Sequence, residues 1–152
     1  METFIKIESG NGGDNAHAWA RMLLEMYLGW ARKTGRSFKV VFSEPGEGGG
    51  VKEATLAIEC DLAMLAKERG IHRLVRVSPF DPERRRHTSF ATVRVYTGSC
   101  IGNPPQAAEG YSQTRSYVLD PYKLVTDHRT GQKVKDADAV LAGDIGPFLA
   151  TA

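Results

Sequence analysis

The stretch His72–Phe90, "HRLVRVSPFDPERRRHTSF", decides how this chain is read. A strand-like run carrying Leu74, Val75 and Val77 stops at Ser78-Pro79-Phe80, because proline has no N–H for a ladder. The acid–proline turn Asp81-Pro82 follows, then Arg84, Arg85 and Arg86, and His87-Thr88-Ser89-Phe90 opens a second strand. The pattern predicts a hairpin whose tip gathers a hydroxyl, a proline, an aromatic ring and three guanidinium groups.

On the N-terminal side, Thr3–Glu8 alternates as a short strand, and Ser9–Gly13 is a loop. Trp19, Met22, Leu23, Met26, Tyr27 and Trp30 then recur at three- and four-residue steps, which predicts a long helix with Asp14 or Asn15 as its N-cap. Its tryptophans and tyrosine share the apolar face and are read as core. Ser37–Ser43 and Glu53–Cys60 are expected strands around the turn Pro45–Gly50, and Asp61–Arg69 a short helix capped by Asp61. Ile71–Val77 and Thr88–Tyr96 are the strands of the opening hairpin.

"GSCIGNPPQAAEG", Gly98–Gly110, has no core-forming periodicity and reads as a linker. Beyond it, Thr114–Leu119 is one more strand, Asp120–Gly131 is irregular, and Asp136–Leu149 holds one or two short helices. The expected class is α+β, with helices packed on one face of a mostly antiparallel sheet.

Composition narrows the function. The 152 residues suit one domain, and 41% hydrophobic with 25% charged residues is the balance of a folded protein. The net charge of +2 does not announce a nucleic-acid binder, but Arg69, Arg73, Arg76 and Arg84–Arg86 cluster in one region. Cys60 and Cys100 form no CxxC pair, no leader peptide is recognised, and no apolar run approaches the roughly 20 residues that span a bilayer. A soluble, cytoplasmic protein without membrane partners is expected. "GNGGD" before the long helix admits two readings, an anion cradle or a glycine turn, but it lacks the spacing of a nucleotide loop. The four histidines have no ligand spacing and no nucleophile with an acid–base set is visible, so neither metal nor cofactor is expected.

The tip itself has a chemistry. Rings stack on bases, hydroxyls read base edges and arginines hold phosphates, which together suit single-stranded RNA. The alternative is an ordinary solvated charge run.

"HRLVRVSPFDPERRRHTSF" resembles the decoding region of the bacterial class-I peptide chain release factor 2 family. "SGNGGDNAHAWARMLLEMYLGWA" is similar to that family's glycine turn and long helix, and "GVKEATLAIE" to its next hairpin. "SQTRSYVLDPYKLVTDHRTG" and "DADAVLAGDIGPFL" resemble its C-terminal segment. The resemblance implies a release-factor decoding superdomain built from residues 1–97 and 112–152, with 98–111 standing where the family carries its catalytic domain. It implies that Ser78-Pro79-Phe80 reads UGA and UAA, with Ser78 at the second base. His87 would stack on that base and part it from the third, which Thr88 and Val75 would receive. Gly12 and Asn15 would meet the first uridine, where the family usually has Glu in place of Asn15. Arg84, Arg85 and Arg86 would contact RNA phosphate.

Gly-Gly-Gln, the family's catalytic tripeptide, does not occur in these 152 residues, and the family's N-terminal helical domain has no counterpart. The expectation is therefore a non-enzymatic decoding protein acting on the ribosomal small subunit, its rRNA and the mRNA stop codon. Its rivals are a repurposed RNA-binding regulator and the decoding half of a two-chain release factor.

Overall fold

The computed structural model describes residues 2–11, 13–98 and 113–149. Its strands are β1 (Glu2–Ser9), β2 (Phe38–Pro45), β3 (Val51–Glu59), β4 (Gly70–Val77), β5 (Arg86–Thr97), β6 (Gln113–Val118), β7 (Leu124–Asp127) and β8 (Lys133–Val134). The helices are α1 (Asp14–Lys33), α2 (Leu62–Leu65), α3 (Ala137–Leu141) and α4 (Gly146–Leu149). One sheet runs β2-β3-β1-β5-β4-β6-β7-β8, and among the described residues only the β4–β6 pair is parallel. The α+β class, mostly antiparallel, is the one expected. Most of the linker expected at 98–111 lies outside the described residues.

The sheet is held by the apolar stripe of α1. Trp19, Leu23, Met26, Tyr27 and Trp30 pack on Ile5, Ile7, Leu56, Val93 and Val95, with Phe148 of α4 in the same cluster. Fully burying one such side chain contributes about 1.5–3 kcal/mol, so this face fixes α1 against the sheet. Gly29 lets α3 close over it: a Cβ there would lie 2.1 Å from the Ala142 carbonyl oxygen. Val118 is only half-buried near the end of β6.

Local expectations failed where tertiary partners intervened. Neither Asp14 nor Asn15 caps α1; Gly13 stands at the N-cap with φ 59° and no side chain caps the end. The Asn15 carbonyl oxygen accepts instead from Ser78. Asp61 does not cap α2 through its side chain. Its carbonyl accepts the Met64 N–H at 3.0 Å, in a segment of one α-turn followed by a 3-10 turn over Ala66–Glu68. The stretch read as irregular holds β7, whose four residues are too few for a period to register. Asp136 does cap α3, accepting from the Ala139 N–H.

Behind α1 lies a buried ionic network. Arg115 of β6 donates to both Glu68 oxygens, at 2.8 and 2.6 Å, and to Asp127 at 3.4 Å. Tyr27 donates to Glu68 at 2.9 Å, and Arg115 donates to the Tyr117 hydroxyl at 2.9 Å. His72 lies 2.9 Å from Tyr117 and 2.8 Å from the Glu68 carbonyl. A carbonyl only accepts, so Nε2 of His72 carries the proton and Nδ1 accepts from Tyr117. Burial raises the Glu68 pKa, but the Arg115 guanidinium more than offsets this and leaves it below the usual range.

Candidate nucleic-acid interface

Three elements meet at one end of the molecule: the first turn of α1, the β2–β3 turn and the β4–β5 tip. β4 and β5 pair in register up to Val77 opposite Arg86, and the Ser78 N–H reaches the Arg85 carbonyl at 3.0 Å. The tip is therefore the eight residues Ser78–Arg85. The Phe80 ring is wedged against the β2–β3 turn, where a Cβ on Gly48 would come within 2.8 Å of it. Gly48 also has φ +63°, so a side chain there is excluded twice. His17 of α1 accepts the Glu47 N–H through Nδ1 at 2.9 Å, tying the same turn to the helix.

Between these elements is a cleft of about 220 Å³ lined by Asp14, Asn15, Phe80, Asp81, Pro82, Arg85 and His87. Asp81 organises it. One carboxylate oxygen accepts from His87 Nε2 at 2.8 Å and from Arg85 Nε at 2.8 Å; the other accepts the Glu83 N–H at 2.9 Å. Hydrogen bonds from Arg85, His87 and the Glu83 N–H hold the Asp81 pKa far below the usual carboxylate range. The carboxylate therefore stays charged, and the tip keeps its shape, through ordinary acidification.

The structure brings together Asn15, Ser78, Phe80 and His87 on the helix side of the sheet. Val75 and Thr88 are directly opposed on the other face of the hairpin, because side chains alternate along a strand. Pro79 is exposed at the tip, and Ser78 has no exposed surface at all. Gly12 lies outside the described residues. The arginine triplet divides: Arg85 pairs with Asp81 and, at 3.4 Å, with Glu83, while Arg86 pairs with Asp120 at 3.6 Å. Arg84 is exposed at φ 57°, without an ion pair among the described residues.

Sequence reading missed Asp81. Its signal was the spacing to Arg85 and His87, four and six residues on, in a turn that has to fold back. Asp81→Asn is expected to release His87, since one amide oxygen cannot serve all three donors and the amide nitrogen opposes them. The His87 imidazole nitrogen resonances should change while those of buried His72 stay as they are. Unchanged His87 resonances would show that the ring is held by something else.

The PCRF domain model matches residues 1–93. Peptide chain release factor 2 of Thermotoga petrophila is 31% identical over 230 residues, spanning 96% of this chain and 63% of that protein. Peptide chain release factor 2 of Thermosipho africanus is 49% identical over the same share of this chain and 62% of its own length. The solved structure of RF2 of Thermus thermophilus superposes with a TM-score of 0.84 at 27% identity, over 97% of this chain and 66% of that one. This chain thus spans a little under two-thirds of the relatives it matches. The matched span in the Thermotoga petrophila protein is 230 residues against 96% of 152 here, so over a third of that span has no counterpart in this chain.

Proposed function

This chain belongs to the PCRF-domain family, and we propose that it recognises the stop codons UGA and UAA in the ribosomal decoding centre without hydrolysing peptidyl-tRNA. The observation that carries this reading is the cleft: a helix tip, a fixed imidazole and the Phe80–Pro82 turn, propped from beneath by buried Ser78, converge on a volume suited to an unstacked base. The codon's first two bases enter on the helix side, the second lying over the Ser78-Pro79-Phe80 turn and against the His87 ring. The third base crosses to the opposite face, where Thr88 and Val75 receive it. Arg84 is the cation left open for a phosphate, whereas Arg85 acts through Asp81. Residues 1–97 and 112–152 serve as one decoding unit, with 98–111 bridging them where relatives carry extra chain. Such a protein, acting in the cytoplasm, competes with or modulates termination.

The test is competition against a complete release factor on ribosomes programmed with each stop codon. UAA and UGA complexes should be contested and UAG refused, with a wrong base costing about 1–3 kcal/mol. Ser78→Ala should weaken both cognate complexes. Arg84→Ala should weaken every complex alike and reduce the salt dependence. Purified chain alone should release no peptide, because Gly-Gly-Gln is absent from its sequence. Equal competition at all three codons would favour a repurposed RNA-binding regulator, and release restored by a separate hydrolase chain would favour a two-chain factor.

A further inference from the structure

We infer that the free edge of β2 pairs antiparallel with β2 of a second copy of this chain, in the register that sets Lys39 opposite the partner's Glu44.

β2 is the outermost strand of the sheet and is bonded to β3 on one side only. The backbone N–H and C=O groups of its other side are a template for one more strand. Its side chains favour a partner as well. Val40, Val41 and Phe42 are 45–48% exposed, the longest run of exposed large apolar residues among those described. Val41 also borders a groove with Phe4, Thr55 and Tyr96. That groove lies on the sheet face away from α1, where Phe4, Ala57 and Tyr96 form a cluster of their own.

Edge strands often carry devices against such pairing, and β2 has Lys39, Pro45 and a bulge at Val41. Here the bulge selects the partner. Lys39 stands opposite Ala57, Phe42 opposite Thr55 and Glu44 opposite Glu53, all on the face away from α1. Val40 stands opposite Leu56 and Ser43 opposite Ala54, both core residues on the α1 face. The extra residue, Val41, thus reverses the alternation halfway along the strand. A flat strand could match one half of β2 and would offer the wrong face to the other. A second β2, turned end for end, carries the same reversal at the same place.

Directly opposed residues share a face, and one register satisfies this along the strand: Lys39 meets Glu44, Val40 meets Ser43 and Val41 meets Phe42. The same register opposes unlike charges at both ends. Lys39 is exposed with no ion pair among the described residues, and Glu44 reaches only Lys52, at 3.9 Å and half exposed. Pro45, which lacks an N–H, falls at the end of the pairing. A two-fold axis relates the copies, so association stops at the dimer. Because the strands run oppositely, the two clefts stand at opposite ends of the shared sheet.

Sedimentation equilibrium of the full chain tests this over about 1–300 µM, the range for a small edge interface. The wild type should pass from monomer to dimer and no further. Lys39→Glu or Glu44→Lys alone sets like charges face to face at both ends and should weaken the dimer about tenfold or more. Mixed in equal amounts, the two variants should recover dimerisation, since every charged contact between them is again of unlike sign. One chain carrying both substitutions should do the same. Both positions are exposed, so the fold is retained. A monomeric wild type overturns the inference, as does growth beyond the dimer. Single variants within about twofold of wild type, or a mixture that restores nothing, overturn it too. If a variant fails to fold, amide exchange of the wild type decides: it should slow with concentration along β2, and exchange independent of concentration overturns the pairing.

Discussion

Replacing Arg115 with alanine is expected to cost about 3–5 kcal/mol of unfolding free energy, the range for removing one partner of a buried ion pair. Arg115 and Glu68 are both fully buried, and the guanidinium meets the carboxylate through two parallel hydrogen bonds. Without it, Glu68 keeps only the Tyr27 hydroxyl as a side-chain donor among the described residues. Asp127 suffers less, since the Arg129 and Thr130 N–H groups still bond it at 2.9 and 3.2 Å. The pair also joins distant parts of the chain: Glu68 precedes β4, whereas Arg115 lies on β6, beyond the undescribed residues 99–112. Urea unfolding would measure the loss, and amide exchange should show β6 and β7 deprotected first. Replacing both partners, Arg115→Met with Glu68→Leu, should recover much of the stability because no charge is then stranded. A single substitution costing under about 1 kcal/mol would mean that water or rearranged side chains neutralise Glu68.

Stability is also expected to fall by roughly 3 kcal/mol as pH drops from 6.5 to 4 through the buried His72 alone. Burial, and then the Arg115 charge, push the His72 pKa down to about 4. Glu68 and its carbonyl pull the other way but do not prevail. The direction follows from proton counts. Between pH 6.5 and 4 the unfolded chain binds a proton at this histidine that the folded chain refuses, so acidification favours unfolding. The hydrogen bonds explain the refusal: Nδ1 is already an acceptor for the Tyr117 hydroxyl, and a proton there would set donor against donor. His72→Gln can serve both partners without titrating. Denaturant midpoints across this window should flatten in that variant, leaving the acid loss below pH 4 to carboxylates such as Glu68. An unchanged slope would assign the dependence elsewhere.

Some of this was legible in the sequence because the governing forces are local or periodic. The α1 stripe from Trp19 to Trp30 repeats over about three turns, and a helix with that much apolar surface has one way to meet a sheet. The β4–β5 hairpin declares itself by alternation broken at Pro79, and the motifs at its tip carried the family resemblance. The positions of Val75 opposite Thr88, and of His87 on the other face, follow from strand parity once the turn is placed.

Tertiary structure alone decided the rest, because those choices pit local preference against distant partners. Asn15 was a suitable cap for its own helix, yet Ser78, 63 residues away, claims its side chain. Arg85 looked like a member of a solvated charge run and Asp81 like half of an acid–proline turn, until the turn folded back and made Asp81 the acceptor that fixes His87. Arg115, a cation in an unremarkable strand, is buried whole because Glu68 and Asp127 are waiting there. A charge is tolerated inside a protein only when its counter-charge is already in place, and that pairing between residues far apart in the chain leaves no periodic trace in the sequence.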